Sequence, residues 1–173
     1  METALEQILT STYKEGMMNY MKATPSAFDE LIQLALSDQQ PYAWRAAWLL
    51  SHCAKTKDQR VQPFVAPMID RLAIAPDGQK RDLINVLRKM EIDEDDIGKL
   101  FDVCIDIWVR TTAIPSVRIN AFRLLLKICA VYPDLYNEVS LLTETEYLDS
   151  LSLGIRKTVY KLIRDYEVEY GVE

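Results

Sequence analysis

The chain has 173 residues, 49% hydrophobic and 27% charged, a size and balance that suit one globular domain with a sizeable core. Its 20 Lys+Arg against 26 Asp+Glu leave a net charge of −6, which argues against a protein built to blanket nucleic acid. Five Gly and seven Pro are too few for a collagen-like or disordered chain, and a single His excludes mechanisms that need two imidazoles.

Helical periodicity runs nearly throughout. Leu5, Ile8, Leu9, Tyr13, Met17, Tyr20 and Met21 form one stripe, and Thr3 with Glu6 has capping-box spacing, so a first helix is expected within 1–24. Ser26 and Asp29 open a second helix, which Ser37-Asp38-Gln39-Gln40-Pro41 breaks, and a third follows from about Tyr42 to Lys55. No segment alternates apolar and polar residues long enough for a strand, so the expected fold class is all-α. The N-terminus shows no basic, apolar signal pattern, no run approaches 18 apolar residues, and Cys53, Cys104 and Cys129 are too widely spaced for a Cys-only zinc site. A cytoplasmic, reducing setting is the expectation.

The helices repeat. Four segments align on Arg45, Arg81, Arg118 and Arg156, separated by 36, 37 and 38 residues, with apolar Trp48, Ile84, Ala121 and Val159 three positions later. A breaker precedes each arginine: Pro41, Pro76 with Gly78, Pro115, and Gly154. Each unit therefore reads as a first helix (A), at about 26–37, 62–74, 94–110 and 135–149, and a second (B), at 41–57, 78–90, 115–132 and 154–166. The plan is one domain over 1–173: a capping helix at 1–24, repeats at about 26–57, 60–90, 93–132 and 134–166, and an acidic tail at 167–173. Such units cannot bury an apolar face alone, so they should stack as a right-handed α-α superhelix. Trp48, Leu49, Ile84, Leu87, Leu124, Leu125, Leu162 and Ile163, with Leu36, Leu72 and Ile107, are the expected core.

Leu36-Ser37-Asp38 followed by Trp44-Arg45-Ala46-Ala47-Trp48-Leu49-Leu50 resembles the HEAT-repeat signature, in which a turn Asp precedes a Val-Arg-x-Ala-Ala helix. Pro67-Met68-Ile69-Asp70-Arg71-Leu72 is similar to the proline-containing A helix of such repeats, and Val117-Arg118 with Ala121 matches well. The second unit has Lys80 where an aliphatic residue is expected, and the fourth lacks the turn Asp. The chain also looks like short bacterial helical proteins that sometimes carry an adenylosuccinate lyase label. That lyase family is much longer and uses histidine and a serine-bearing loop, which one His and no such loop do not match.

No catalytic constellation emerges. His52 adjoins Ser51 and Cys53, but neighbouring helical residues do not face each other. Asp93-Glu94-Asp95-Asp96-Ile97-Gly98 resembles the start of a calcium loop, yet Ile97 and Cys104 stand where oxygen ligands belong; acids at a helix N-terminus explain the run. The five glycines never approach phosphate-loop spacing. No enzymatic activity, cofactor, metal or small-molecule substrate is expected.

Charge is the informative signal. The four B segments hold 14 basic residues and two acids, Asp82 and Asp165, which leaves −18 on the rest of the chain. On helical wheels Lys57, Lys89, Arg123, Lys127, Lys157, Lys161 and Arg164 lie opposite the apolar stripe. In HEAT-like solenoids the B helices line the concave surface, so the resemblance implies a basic inner groove. Its candidate contact residues are Arg45, Arg81, Lys89, Arg118, Arg123, Lys127, Arg156, Lys157, Lys161 and Arg164. Alternatively, the four aligned arginines form a structural ladder with turn acids such as Asp38 or Asp77. An acidic protein segment is the expected partner. The competing reading is nucleic acid, by resemblance to the HEAT-like alkylpurine DNA glycosylases, though no residue matches their catalytic set. Tyr42 and Trp44 are the candidate exposed aromatics, and Trp48 is placed in the core.

Overall fold

The computed structural model of the chain describes residues 1–172, and it is helical with no strand among them. The chain forms two compact units, Met1–Asp96 and the segment from Ile97 onward.

In the first unit, the helix expected within 1–24 is two: α1 (Ala4–Ser11) and α2 (Lys14–Ala23). The Thr3–Glu6 capping box forms as read, each residue's side chain accepting from the other's backbone N–H. The break has a local cause. The hydroxyls of Ser11 and Thr12 donate to the carbonyls of Gln7 (2.6 Å) and Ile8 (2.8 Å), competing with helix continuation. Gly16 then permits a tight corner, because a Cβ there would lie 2.9 Å from Thr12 Cβ.

Two helix pairs follow: α3 (Phe28–Leu36) with α4 (Tyr42–Cys53), and α5 (Val65–Ile74) with α6 (Asp77–Leu87). α3 packs on α4 and α5 on α6, while α4 meets α6 and α3 meets α5, as stacked repeats require. Ala43, Ala46 and Ala47 are buried with Leu31, Ile32, Leu49, Leu50, Leu72, Ile84 and Leu87. Each fully buried Leu or Ile stabilises by about 1.5–3 kcal/mol. The α4 helix stops at Cys53, so Lys55 and Lys57 sit in a loop rather than on the expected helix, and Lys57 is left-handed (φ 54°). Buried Asp58 organises that loop. It accepts from the backbone N–H of Lys55 and Arg60 (both 3.1 Å) and from the Arg60 guanidinium (2.9 and 2.7 Å). The Arg60 guanidinium also lies 3.6 Å over the Phe28 ring.

The second unit contains α7 (Glu94–Val109) apart from its first turn, α8 (Pro115–Val131), α9 (Tyr136–Leu141), α10 (Thr145–Leu148) and α11 (Leu153–Tyr170). Glu94, Asp95 and Asp96 fill the first turn of α7, where the helix dipole favours them. The continuous A helix expected at 135–149 is broken into α9 and α10. Buried Trp108 takes the Leu142 carbonyl through its indole N–H (2.8 Å), and Thr143 Oγ1 donates to the Ser140 carbonyl (2.7 Å). Of the expected acidic tail at 167–173, residues 167–170 are helical and Gly171 (φ 64°) ends α11, while Glu173 lies outside the described residues. Tyr166 holds that last turn: its ring stacks on Tyr136 at 4.5 Å and its hydroxyl donates to the Cys129 carbonyl (2.9 Å).

Of the expected core, Leu49, Leu72, Ile84, Leu87, Ile107, Leu124 and Leu125 are buried. Leu36, Leu162, Ile163 and Trp48 are only half-buried. Leu162 and Ile163 lie on α11. No helix is long and apolar enough to cross a membrane among the described residues.

Candidate functional site

The recurring cations at the start of each B helix do one physical job: they reach back to the carbonyls that end a neighbouring helix or turn. Arg45 on α4 donates to Leu9 O of α1 (2.7 Å). Arg118 on α8 donates to Trp108 O at the end of α7 (2.8 Å) and also to Tyr147 O (2.6 Å) and Ser150 Oγ (2.8 Å). Arg156 on α11 donates to Leu151 O (2.9 Å) and lies 3.7 Å from the Asp149 carboxylate. Positive charge over exposed helix-end carbonyls is favourable.

The second repeat solves the problem with different residues. Gln79 is fully buried and donates to Ala35 O (2.9 Å) and Ser37 O (3.1 Å), capping α3, and Lys80 reaches Ala73 O (3.4 Å) at the end of α5. Arg81 pairs with adjacent, buried Asp82 (2.9 Å). The bonds of Arg45, Arg118 and Arg156 to Leu9, Trp108 and Leu151 run to backbone carbonyls. Lys89 likewise bonds Ser51 O (2.6 Å) and Ala54 O (3.0 Å), at the end of α4.

Two of the ten candidate contact residues are held within the fold. Arg118 is fully buried, and Lys89 is committed to two carbonyls, because both long side chains find unpaired helix-end oxygens within reach. Arg45, Arg81, Arg123 and Arg156 are half-buried, whereas Lys127, Lys157, Lys161 and Arg164 are exposed. Lys157, Lys161 and Arg164 follow one another at helical spacing along α11, with exposed Tyr160 among them.

The first unit presents a different surface. Trp44, Trp48 and His52 succeed each other at i, i+4 and i+8 along α4. Trp44 is 39% exposed. Trp48 is not in the core. Its ring stands 4.1 Å from the His52 ring on one side and 5.3 Å from Lys14 Nζ on another. Together with Tyr13, Met17 and Arg45, these two indoles and Lys14 wall an open cleft of about 180 Å³ at the α1–α2 corner. The Arg45 guanidinium sits 5.1 Å over the Trp44 ring, so both cations of the cleft lean on an indole. Tyr42 is turned away; its hydroxyl donates to Glu2, which raises its pKa. Along the same helix, a polar hollow is formed by Ser51, His52, Asn85, Arg88 and Lys89.

Tyr13, Lys14 and the exposure of Trp48 escaped the sequence reading. The i, i+4, i+8 spacing of Trp44, Trp48 and His52 is the signal in the sequence that places all three on one helix face.

Little on this surface resembles catalysis. Ser51 Oγ does approach His52 Nδ1 (3.1 Å), contrary to expectation for adjacent residues, because both side chains turn back to the Trp48 carbonyl. The hydroxyl of Ser51 donates to that carbonyl at 2.7 Å, which points its proton away from the imidazole. Burial pushes all three thiols up, Cys129 to about 12, so none is a ready nucleophile at neutral pH. No group of three or more His, Cys, Asp or Glu among the described residues is arranged to hold a metal ion.

The stacked pairs and their capping cations define a helical-repeat protein. The HEAT repeat domain family matches residues 1–165, and the chain belongs to it. No curated protein and no solved structure matches the chain. Domains of this family typically serve as non-enzymatic scaffolds for protein interactions.

Proposed function

We propose that the chain is a non-enzymatic interaction module whose B-helix faces hold an acidic protein segment. The observation that carries this reading is the division of charge: 14 of the 20 basic residues lie on or beside the B helices. Of the two acids there, Asp82 is buried against Arg81. After the capping side chains are set aside, Lys127, Lys157, Lys161 and Arg164 remain exposed, with Arg123 half-exposed beside them. A positive face of this kind attracts carboxylates, and packed helices present it with little ordering cost. The −18 carried by the rest of the chain disfavours a long polyanion and tolerates a short acidic segment.

The test is a charge-reversed variant, Arg123, Lys127, Lys157 and Lys161 all to Glu, titrated with an acidic peptide. The expected result is an unchanged helical spectrum and lost binding. Undiminished binding overturns the reading. Duplex DNA provides the control: a face neutralising about four phosphates gives a log–log salt slope near −3.6. Micromolar binding to DNA with that slope replaces the acidic segment by a nucleic acid.

A further inference from the structure

We infer that the indole-walled cleft of the first unit receives one apolar side chain, Phe- or Leu-sized, from an acidic segment whose carboxylates meet Lys14 and Arg45. This deepens the proposed function and rests on that reading, but a different surface carries it. The cleft is open and built mainly from carbon: Met17, the Trp44 and Trp48 rings and the Tyr13 ring supply its walls. Tyr13 is 92% exposed and Trp44 39%, although both are side chains that gain from burial. Such aromatic surface beside an arginine is the composition of interface anchor points.

Charge complementarity names the occupant. Among the lining residues Lys14 and Arg45 carry the charges, and both are positive. They lie over the two indoles, 5.3 Å from the Trp48 centroid and 5.1 Å from that of Trp44, so the pocket is bracketed by cations. Arg45 is also anchored through Leu9 O, which fixes one side of the bracket before any partner arrives. An apolar residue with acids on both sides satisfies the carbon walls and the two cations together. A nucleobase would stack on the indoles, yet the walls offer few polar atoms to its edges.

The tryptophans themselves report the test. The chain has three, and Trp108 is fully buried, so acrylamide quenches chiefly Trp44 and Trp48. The probes are two synthetic peptides rich in Asp and Glu, identical except for a central Phe or Ser. The Phe peptide should shield the emission from acrylamide and bind at least tenfold more tightly than the Ser peptide. Trp44→Ala should weaken the Phe peptide by roughly 30-fold and Lys14→Glu by roughly fivefold, with unchanged helical spectra. If both peptides bind equally and quenching is unaltered, the cleft inference fails while the acidic-segment reading stands. If neither binds, both fail. If oligothymidylate shields the tryptophans and the Phe peptide does not, the occupant is a nucleobase and the inference is overturned.

Discussion

Arg45 and Arg118 hold the same place in their repeats, and each lies close to an indole, yet their surroundings are opposite. In the first unit Arg45 is half-buried, makes one bond to Leu9 O and borders an open cleft beside exposed Trp44. In the second, Arg118 is fully buried, makes three bonds and lies 4.9 Å from the ring of equally buried Trp108. The conserved task, capping a helix end, requires only that the guanidinium reach a carbonyl. Whether it is then sealed depends on what lies across it. Tyr147 and Ser150 bond Arg118, whereas Trp44 beside Arg45 stays exposed. One repeat position thus yields a structural pin in one unit and part of a candidate binding surface in the other.

The largest effects should come from the sealed side. Arg118→Ala should cost about 3–5 kcal/mol in urea unfolding, since it leaves buried carbonyls unpaired and opens a cavity. Arg45→Ala should cost only about 1 kcal/mol. Equal costs would dissolve the contrast. The tryptophans follow the same order: about 3–5 kcal/mol for Trp108→Ala and less than about 1 kcal/mol for Trp44→Ala, with Trp48→Ala between them.

A smaller effect separates the units by pH. The Arg60 guanidinium beside Asp58, with two backbone N–H donors, holds that carboxyl well below the usual carboxylate range, against the opposing push of burial. A depressed carboxylate contributes its full stability above its unfolded value, and that stability is lost progressively as pH falls from about 4 through the lower folded-state value. Asp58→Asn should therefore cost about 1.5–3 kcal/mol at pH 7 and clearly less, though not nothing, near pH 2, read by thermal unfolding at both. A penalty independent of pH would show that Asp58 acts through its shape alone. The smallest difference is in thiol reactivity. Half-buried Cys53 should alkylate slowly at pH 8 in the native protein, and Cys104 and Cys129 only on unfolding, as followed by mass spectrometry.

Much of the fold was legible because it depends on patterns a few residues long. The apolar periodicity, the Thr3–Glu6 capping box, the breakers at Pro41, Pro76 and Pro115, and the 36-to-38-residue spacing of the arginines are local, and the helix pairs follow from them. The exceptions have identifiable competitors. Hydroxyls at Ser11 and Thr12 divide the first helix, the Asp58 loop shortens α4, and the Trp108 indole interrupts the fourth A helix.

The candidate site was less legible, since charge on a helical wheel shows direction but not reach. The wheel put Lys89 on the face away from the core, and its four-carbon stem bends to two carbonyls of α4. Position in the repeat put Trp48 inside, but the corner between α1 and α2 stops short of covering it and leaves a cleft there. The sequence by itself determined that this chain pairs helices around recurring cations, because periodicity and spacing act along the chain. Only the tertiary structure decided which cations are spent on helix ends and which indoles face solvent, because those outcomes turn on what residues tens of positions away happen to cover.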